Sequence, residues 1–199
     1  MYRGSNPRIM PIIIGIIVVA LIVAALVSLG RVLFSGGGGT SSTESTDTVL
    51  SSVLDTASDR SVQWTVRGPI VADENFKSYQ VTVSPTKRVL TTYNGYLAQV
   101  VDQKTFTNNT PAYDEFVHAL QKAGVANSRN VDDDDFRGVC ATNGFVYVFE
   151  TLEAEKANHT LWTSSCKGSK GTMSANVSQV HALFANQIPE FKPLFNTVY

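Results

Sequence analysis

The stretch 87–101, KRVLTTYNGYLAQVV, predicts the hairpin around which the soluble part of this chain is arranged. Asn94-Gly95 lies between two runs rich in β-branched and aromatic residues, and both positions tolerate the positive φ angles of a tight turn. We therefore predict a strand from Lys87 to Tyr93 and a returning strand from Tyr96 to Val101. The two strands should be antiparallel neighbours.

Two further strands are predicted before this hairpin. Apolar and polar side chains alternate over 62–66 and again over 79–83. A period of two places the apolar residues on one face of a strand. Ser84-Pro85-Thr86 supplies a turn into the hairpin, so the four strands should form an antiparallel meander.

Helical spacing appears on both sides of these strands. Apolar residues recur at that spacing between Thr48 and Ala57, with Asp47 as the expected N-cap. After the strands, Thr110 should cap a second helix and Gly124 should end it in a left-handed conformation. The apolar stripe of the second helix is Tyr113, Phe116, Val117 and Leu120.

The rest of the chain adds two strands and a last helix. Phe145 to Phe149 and Thr160 to Ser165 are rich in β-formers, and Ser174 should cap a helix that stops before Pro189. Phe191, Leu194 and Phe195 are expected to pack back on the core. After the short leading helix the order is ββββαββα, which predicts an α+β fold with an antiparallel sheet and helices packed on one face.

The segment Ile9 to Gly30 contains 22 residues without a charge, 14 of them Ile, Leu or Val. A helix of this length reaches about 33 Å, which matches the hydrocarbon thickness of a bilayer. Positive charge is concentrated before the segment, so we predict a signal anchor over 9–34 with residues 1–8 in the cytoplasm. A cleaved secretory signal is the alternative, although its apolar region would be shorter.

Residues 35–48, SGGGGTSSTESTDT, contain no apolar side chain and are expected to be a flexible linker. Residues 49–199 should then form one domain outside the cytoplasmic membrane. That domain carries 13 Lys and Arg against 15 Asp and Glu, so its charge gives no reason to expect nucleic acid as a partner. Cys140 and Cys166 both lie in it, and an even pair outside the cytoplasm favours a disulfide over two free thiols.

The stretch 160–166, TLWTSSC, resembles the strand of sortases that carries a Thr-Leu-x-Thr-Cys motif and the nucleophile. The resemblance implies a membrane-anchored cysteine transpeptidase with Cys166 as nucleophile, His118 as base, and Lys167 or Lys170 facing the oxyanion. Two extra residues separate Thr163 from the cysteine, and no Arg follows it in the chain. A bond to the second cysteine would exclude this reading.

Neither a metal nor a cofactor is predicted. An EF-hand loop starting in the acidic run Asp132 to Asp135 would need Gly at its sixth position and Glu at its twelfth, where Arg137 and Asn143 stand. A solvated acidic loop is therefore expected there. The three histidines show no metal-binding spacing.

Tyr93, Asn94 and Tyr96 could present two aromatic rings at the tip of the predicted hairpin, which would suit recognition of a partner. The alternative is that these tyrosines cover the sheet.

The apolar segment, the spacer and the stretches TTYNGY, NNTPAYDEFVHAL and LWTSSC together resemble signal-anchored surface proteins of bacteria with a single membrane. The resemblance implies a location and no activity. The first functional hypothesis is a non-enzymatic domain that binds an envelope component, a protein or a small ligand. The sortase-like enzyme is the second.

Overall fold

Six strands and three helices make up the part of the chain, residues 46–191, that the computed structural model describes. In chain order the elements are α1 (Thr46–Leu54), β1 (Arg60–Arg67), a 3-10 turn (Asp73–Asn75), β2 (Lys77–Val83), β3 (Lys87–Asn94), β4 (Gln99–Thr107), α2 (Thr110–Lys122), β5 (Val146–Glu153), β6 (Lys156–Ser164) and α3 (Val177–Ala185). The predicted α+β class is confirmed for these residues.

The strands form one antiparallel sheet in the order β4-β3-β2-β1-β5-β6. The predicted meander of the first four strands is confirmed. The later hairpin does not extend the sheet beyond β4, because β5 pairs instead with β1, from Arg60 opposite Glu153 to Arg67 opposite Val146. The earliest strand is therefore central, with neighbours on both sides.

The helices and one face of the sheet share the main hydrophobic core. Trp64 is fully buried at its centre and stacks on Phe184 of α3 with ring centroids 5.8 Å apart. All four predicted residues of the α2 stripe are buried in the same cluster. The strands contribute Val62, Val66, Tyr79, Val81, Val83, Leu90, Phe149 and Leu161. The helices consequently cover this face and leave the opposite face of the sheet to other contacts.

The returning strand of the first hairpin begins later than predicted. Tyr96 and Leu97 lie in a turn, and β4 runs from Gln99 to Thr107. Gly95 has a φ of +72° and Ala98 a φ of +54°, so the turn contains left-handed residues at both ends. A hydrogen bond from the Tyr96 amide to the carboxylate of Asp73, which lies outside the hairpin, holds this longer turn.

The helix caps also differ from the sequence prediction. Asn109, not Thr110, caps α2, because its side chain accepts a hydrogen bond from the amide of Ala112. Asn176, not Ser174, caps α3 in the same way. In both cases the asparagine stands directly before the first helical residue. The left-handed Gly124 after α2 is confirmed, with a φ of +75°.

The first helix begins at Thr46 and ends at Leu54, so Asp47 lies inside its first turn and does not cap it. The last three residues of the predicted linker are therefore helical. The predicted membrane span, the rest of the linker, Leu194 and Phe195 fall outside the described residues. Within 46–191 no helix has both the length and the apolar character needed to cross a bilayer. Phe191 packs on the core as predicted.

Candidate functional site

The sheet face turned away from the helices is lined mainly by polar, uncharged side chains. We call this surface the polar sheet face and define it by Ser61, Gln63, Thr65, Gln80, Thr82, Thr91, Tyr93, Gln103 and Thr105. These residues occupy the alternate positions of β1 to β4, between the residues that build the main core. The strand period of two thus separates a buried apolar face from an open polar one.

Hydrogen bonds link these side chains into rows that run across the strands. The Gln63 amide donates to Glu150 of β5 over 2.7 Å, and its carbonyl oxygen accepts from Thr82 of β2 over 3.1 Å. In the next row, the Gln80 amide donates to Thr65 over 3.3 Å, and its carbonyl oxygen accepts from the Tyr93 hydroxyl over 3.1 Å. The rows hold the amides in fixed orientations on the sheet.

A third contact extends the pattern to the edge strand, where the Gln103 amide donates to Thr91 over 3.1 Å. Above these rows lies a cavity of about 350 Å³, which is at the lower end of the range for small-molecule sites. Its charged lining residues are Lys87 and Glu155, whose charged atoms are 3.6 Å apart. The cavity therefore offers amide and hydroxyl groups without an excess of either charge.

The predicted disulfide between Cys140 and Cys166 is confirmed. It joins the segment before β5 to the segment after β6, so it closes the open end of that hairpin. A second hydrophobic cluster surrounds it, made by Cys140, Val146, Val148 and Trp162. This cluster covers the β5 and β6 part of the sheet face that the helices leave uncovered, and it stands beside the polar sheet face.

The disulfide removes the thiol that a sortase-like mechanism needs, since neither cysteine of the chain is free. His118, the proposed base, lies on α2, where its Nδ1 is 2.9 Å from the carbonyl oxygen of Asp114 in the same helix. Helix α2 packs on the main core, whereas Cys166 adjoins the second cluster on the opposite side of the sheet. The proposed nucleophile Cys166 and the proposed base His118 are therefore not brought together, although Lys167 directly follows Cys166 in the chain.

The acidic run Asp132 to Asp135 lies in the loop before β5. Asp135 forms an ion pair with Arg137, and the guanidinium lowers the pKa of that carboxyl group. Asp133 accepts a hydrogen bond from the backbone amide of Asp135. Among residues 46–191 no group of three or more His, Cys, Asp or Glu side chains is arranged to hold a metal ion.

The three residues of the predicted binding tip point to different surroundings. Tyr93 belongs to the polar sheet face, and Asn94 accepts a hydrogen bond from Lys77 over 3.1 Å. Tyr96 folds back, stacks on Phe76 with ring centroids 4.1 Å apart, and donates its hydroxyl proton to the Val71 carbonyl oxygen. The two tyrosines therefore do not present a shared aromatic surface.

Asp73 fixes this turn from outside the hairpin. Its carboxylate accepts a hydrogen bond from the Tyr96 amide over 2.7 Å. A Cβ atom at Gly95 would stand 3.0 Å from both oxygens of the same carboxylate. The exposed apolar residues nearby are Ile70, Val71, Leu97, Val100 and Val101, and Leu97 is 95% exposed. Leu97, and not Tyr96, is thus the most exposed apolar side chain at this end of the sheet.

Arg67 connects the turn region to the loop that follows α2. Its guanidinium lies 5.5 Å from the centroid of the Phe76 ring and 5.3 Å from that of Phe136. Burial between the rings lowers the pKa of Arg67, although a guanidinium stays charged at neutral pH. The contact is a cation–π interaction on each side.

Sequence reasoning did not identify the polar sheet face as a site. The sequence signal for it was the presence of Gln and Thr at the polar positions of the alternating strands, where solvated strands commonly carry charged residues.

Comparison with known proteins found no matching family, no similar curated protein and no similar solved structure.

Proposed function

We propose that residues 46–191 form a non-enzymatic binding module that is tethered outside the cytoplasmic membrane and takes a neutral, hydroxyl-rich ligand on the polar sheet face. A saccharide segment of the cell envelope has the required chemistry. The observation that carries the proposal is the row of oriented amides and hydroxyls beneath a cavity of about 350 Å³. Side chains already held by their neighbours lose little freedom when a ligand binds.

The charge of the cavity favours a neutral ligand over an ionic one. Lys87 and Glu155 lie close to each other at its margin, and its remaining lining is uncharged. Gln, Thr and Ser side chains both donate and accept hydrogen bonds, as sugar hydroxyl and acetamido groups do. Tyr93 adds an aromatic ring at the same surface.

Two observations support a location outside the cytoplasm. The uncharged segment 9–30 has the length of a membrane span and is preceded by Arg3 and Arg8. The Cys140 to Cys166 disulfide fits an oxidising compartment. Residues 35–45 contain no apolar side chain, which suits a connection between a signal anchor and the module.

The binding part of the proposal is tested with the full chain in nonionic detergent and a soluble N-acetylglucosamine tetramer as the probe. Titration calorimetry should detect binding, and Gln80→Ala should weaken it about tenfold, because one side chain that orients both Thr65 and Tyr93 is lost. Gln121→Ala, at an exposed position of α2, is the matched control and should bind as the unsubstituted protein does.

Equal loss of binding in the two variants would contradict a site on the polar sheet face. Absence of binding by the unsubstituted chain to the tetramer, together with binding of an anionic polymer such as polyglutamate, would contradict the neutral ligand. The location is tested separately by fusing alkaline phosphatase to Tyr199. The enzyme should be active, since it needs export to fold, and an inactive fusion would place the module inside the cell.

A further inference from the structure

The two edge strands of the sheet differ in how their outward backbone groups are satisfied. At the β6 edge, the amide of Trp162 donates to the Thr172 hydroxyl over 3.0 Å, and its carbonyl oxygen accepts from the Met173 amide over 2.8 Å. Strand β4, at the other edge, pairs with β3 alone among the described residues. Seven of its nine residues are exposed and the other two are partly buried. An open strand edge of this length is a template for a further strand.

The hydrogen bonds of the turn between β2 and β3 show which residues of β4 point their backbone amide and carbonyl groups toward β3 and which point them outward. The Ser84 amide donates to the Lys87 carbonyl oxygen, so Lys87 and every second residue after it direct their backbone groups to β2. The intervening residues of β3 direct theirs to β4. Leu90 is opposite Lys104 and Thr92 is opposite Asp102. The backbone groups of Asp102 and Lys104 therefore form hydrogen bonds with β3, and the backbone groups of Gln103 and Thr105 point outward from the sheet edge.

Asp102 and Lys104 are two residues apart and lie on the same face of β4. When β4 is placed antiparallel to a second β4 with Gln103 opposite itself, each Asp102 stands opposite the other copy's Lys104. That position is a non-hydrogen-bonded pair, in which side chains are closest, and opposite charges there are favourable. Placing Lys104 opposite itself would instead bring like charges together.

We propose that the β4 edge is a self-association surface, through which two copies of this chain join their sheets about a two-fold axis at Gln103. The Gln103 backbones exchange two hydrogen bonds across the axis, and the two Asp102 to Lys104 pairs fix the register. The irregular pairing near Thr92 and Tyr93 limits the new ladder to the centre of the strand.

A two-fold axis through an antiparallel edge contact is perpendicular to the sheet, so it keeps both copies' helices on one side. The two polar sheet faces then lie together on the other side of a continuous twelve-stranded sheet. A repetitive polymer could contact both faces at once, although the self-association itself does not depend on any ligand.

The test uses the full chain in nonionic detergent, with Gln103→Cys and Thr107→Cys as matched single-cysteine probes. Both native cysteines are bonded to each other and do not react. In the proposed dimer the two α-carbons at position 103 are about 5.5 Å apart, whereas the two at position 107 are about 27 Å apart at about 3.4 Å per residue. A short bis-maleimide reagent should therefore give cross-linked dimer with the first probe and not with the second.

Charge reversal then tests the register. In the Gln103→Cys chain, Asp102→Lys or Lys104→Asp alone should raise the dimer dissociation constant about tenfold or more, because both pairs become repulsive. An equimolar mixture of the two variants should recover the cross-linking yield, since each Lys then faces an Asp. This recovery shows that both variants are folded.

Failure of Gln103→Cys to cross-link overturns the proposal, and so does equal cross-linking at position 107. A yield that neither charge reversal lowers would assign the association to another part of the chain, such as the apolar segment 9–30, and would also overturn it. Capture of an extended peptide at β4 with no dimer would mean that the edge serves a different partner, which likewise overturns self-association.

Discussion

Removing the disulfide by Cys140→Ala and Cys166→Ala together should lower the free energy of unfolding by about 3.5 kcal/mol. The two cysteines are 26 residues apart in the sequence. For a loop of that length the chain-entropy relation gives a restriction of the unfolded chain of about 12 cal/mol/K, or about 3.5 kcal/mol at 25 °C. In the folded state the β5 and β6 ladder already holds the loop ends near each other, so the bond acts mainly on the unfolded state.

The assay is urea denaturation of the full chain in nonionic detergent, followed by tryptophan fluorescence. Trp64 reports on the main core and Trp162 on the cluster around the disulfide. The single variant Cys166→Ala is the control, because it breaks the same bond while leaving Cys140 in place. It should lose nearly as much stability as the double variant, and reduction of the unsubstituted protein should have a similar effect.

A loss below about 1 kcal/mol in the double variant would refute this reasoning. It would mean that the unfolded chain is already restricted between the two positions, or that the bond strains the folded state by an amount that offsets the entropy. Losses that add between the two single variants would also refute it, since two partners of one bond cannot contribute independently.

Three further predictions concern single positions. Gly171→Ala should destabilise the fold by about 1 to 3 kcal/mol, because a Cβ atom there would overlap both the ring and the carbonyl oxygen of Trp162; thermal unfolding measures the loss. Asn109→Ala should cost about 1 kcal/mol as a lost N-cap and Thr110→Ala much less, as compared by urea denaturation. Burial lowers the pKa of His181, so stability should fall as the pH drops below about 6.5, and His181→Gln should flatten that part of the stability profile.

Each of the three single-position predictions would be contradicted by a specific measurement. An unchanged melting temperature for the Gly171 variant would mean that the 165–175 segment shifts without cost. A larger loss of stability in the Thr110 variant than in the Asn109 variant would mean that Thr110 is the N-cap of α2, as the sequence predicted. For His181 the sign follows from the direction of the shift: partial burial lowers the pKa of the imidazole in the fold, so it protonates more readily when unfolded and acid favours unfolding. A stability profile that rises toward about pH 5.5 would contradict this.

Local sequence patterns identified most elements of the fold. The alternation over 62–66 and 79–83, the Asn94-Gly95 turn and the stripe of α2 each depend on residues close together in the chain. Boundaries were less accurate where two adjacent residues could serve the same purpose. Asn109 and Thr110 are both good N-caps, and only the path of the chain out of β4 decides which one is in position.

The turn after β3 shows how a distant residue changes a local prediction. Asn94-Gly95 favours a two-residue turn, but the Asp73 carboxylate binds the Tyr96 amide and the hydroxyl of Tyr96 bonds to Val71. These contacts come from a segment more than 20 residues earlier. They draw Tyr96 out of the expected strand and leave Leu97 exposed, which no local pattern indicates.

The sequence by itself indicated the number and order of the strands and helices, the class of fold and the pairing of the two cysteines, because hydrophobic periodicity and an even cysteine count act through nearby residues or through composition. It did not give the bounds of the last hairpin: the predicted strands Phe145 to Phe149 and Thr160 to Ser165 are Val146–Glu153 and Lys156–Ser164 in the structure, and they meet at a shorter turn. Only the tertiary structure decided that β5 pairs with β1, which centres the first strand and leaves β4 as an open edge. It also decided that Gln63, Gln80 and Gln103 lie in rows on one face. The free energy of pairing depends on which strand edges and apolar faces meet in space, and residues about 80 or more positions apart carry no local signal of that meeting.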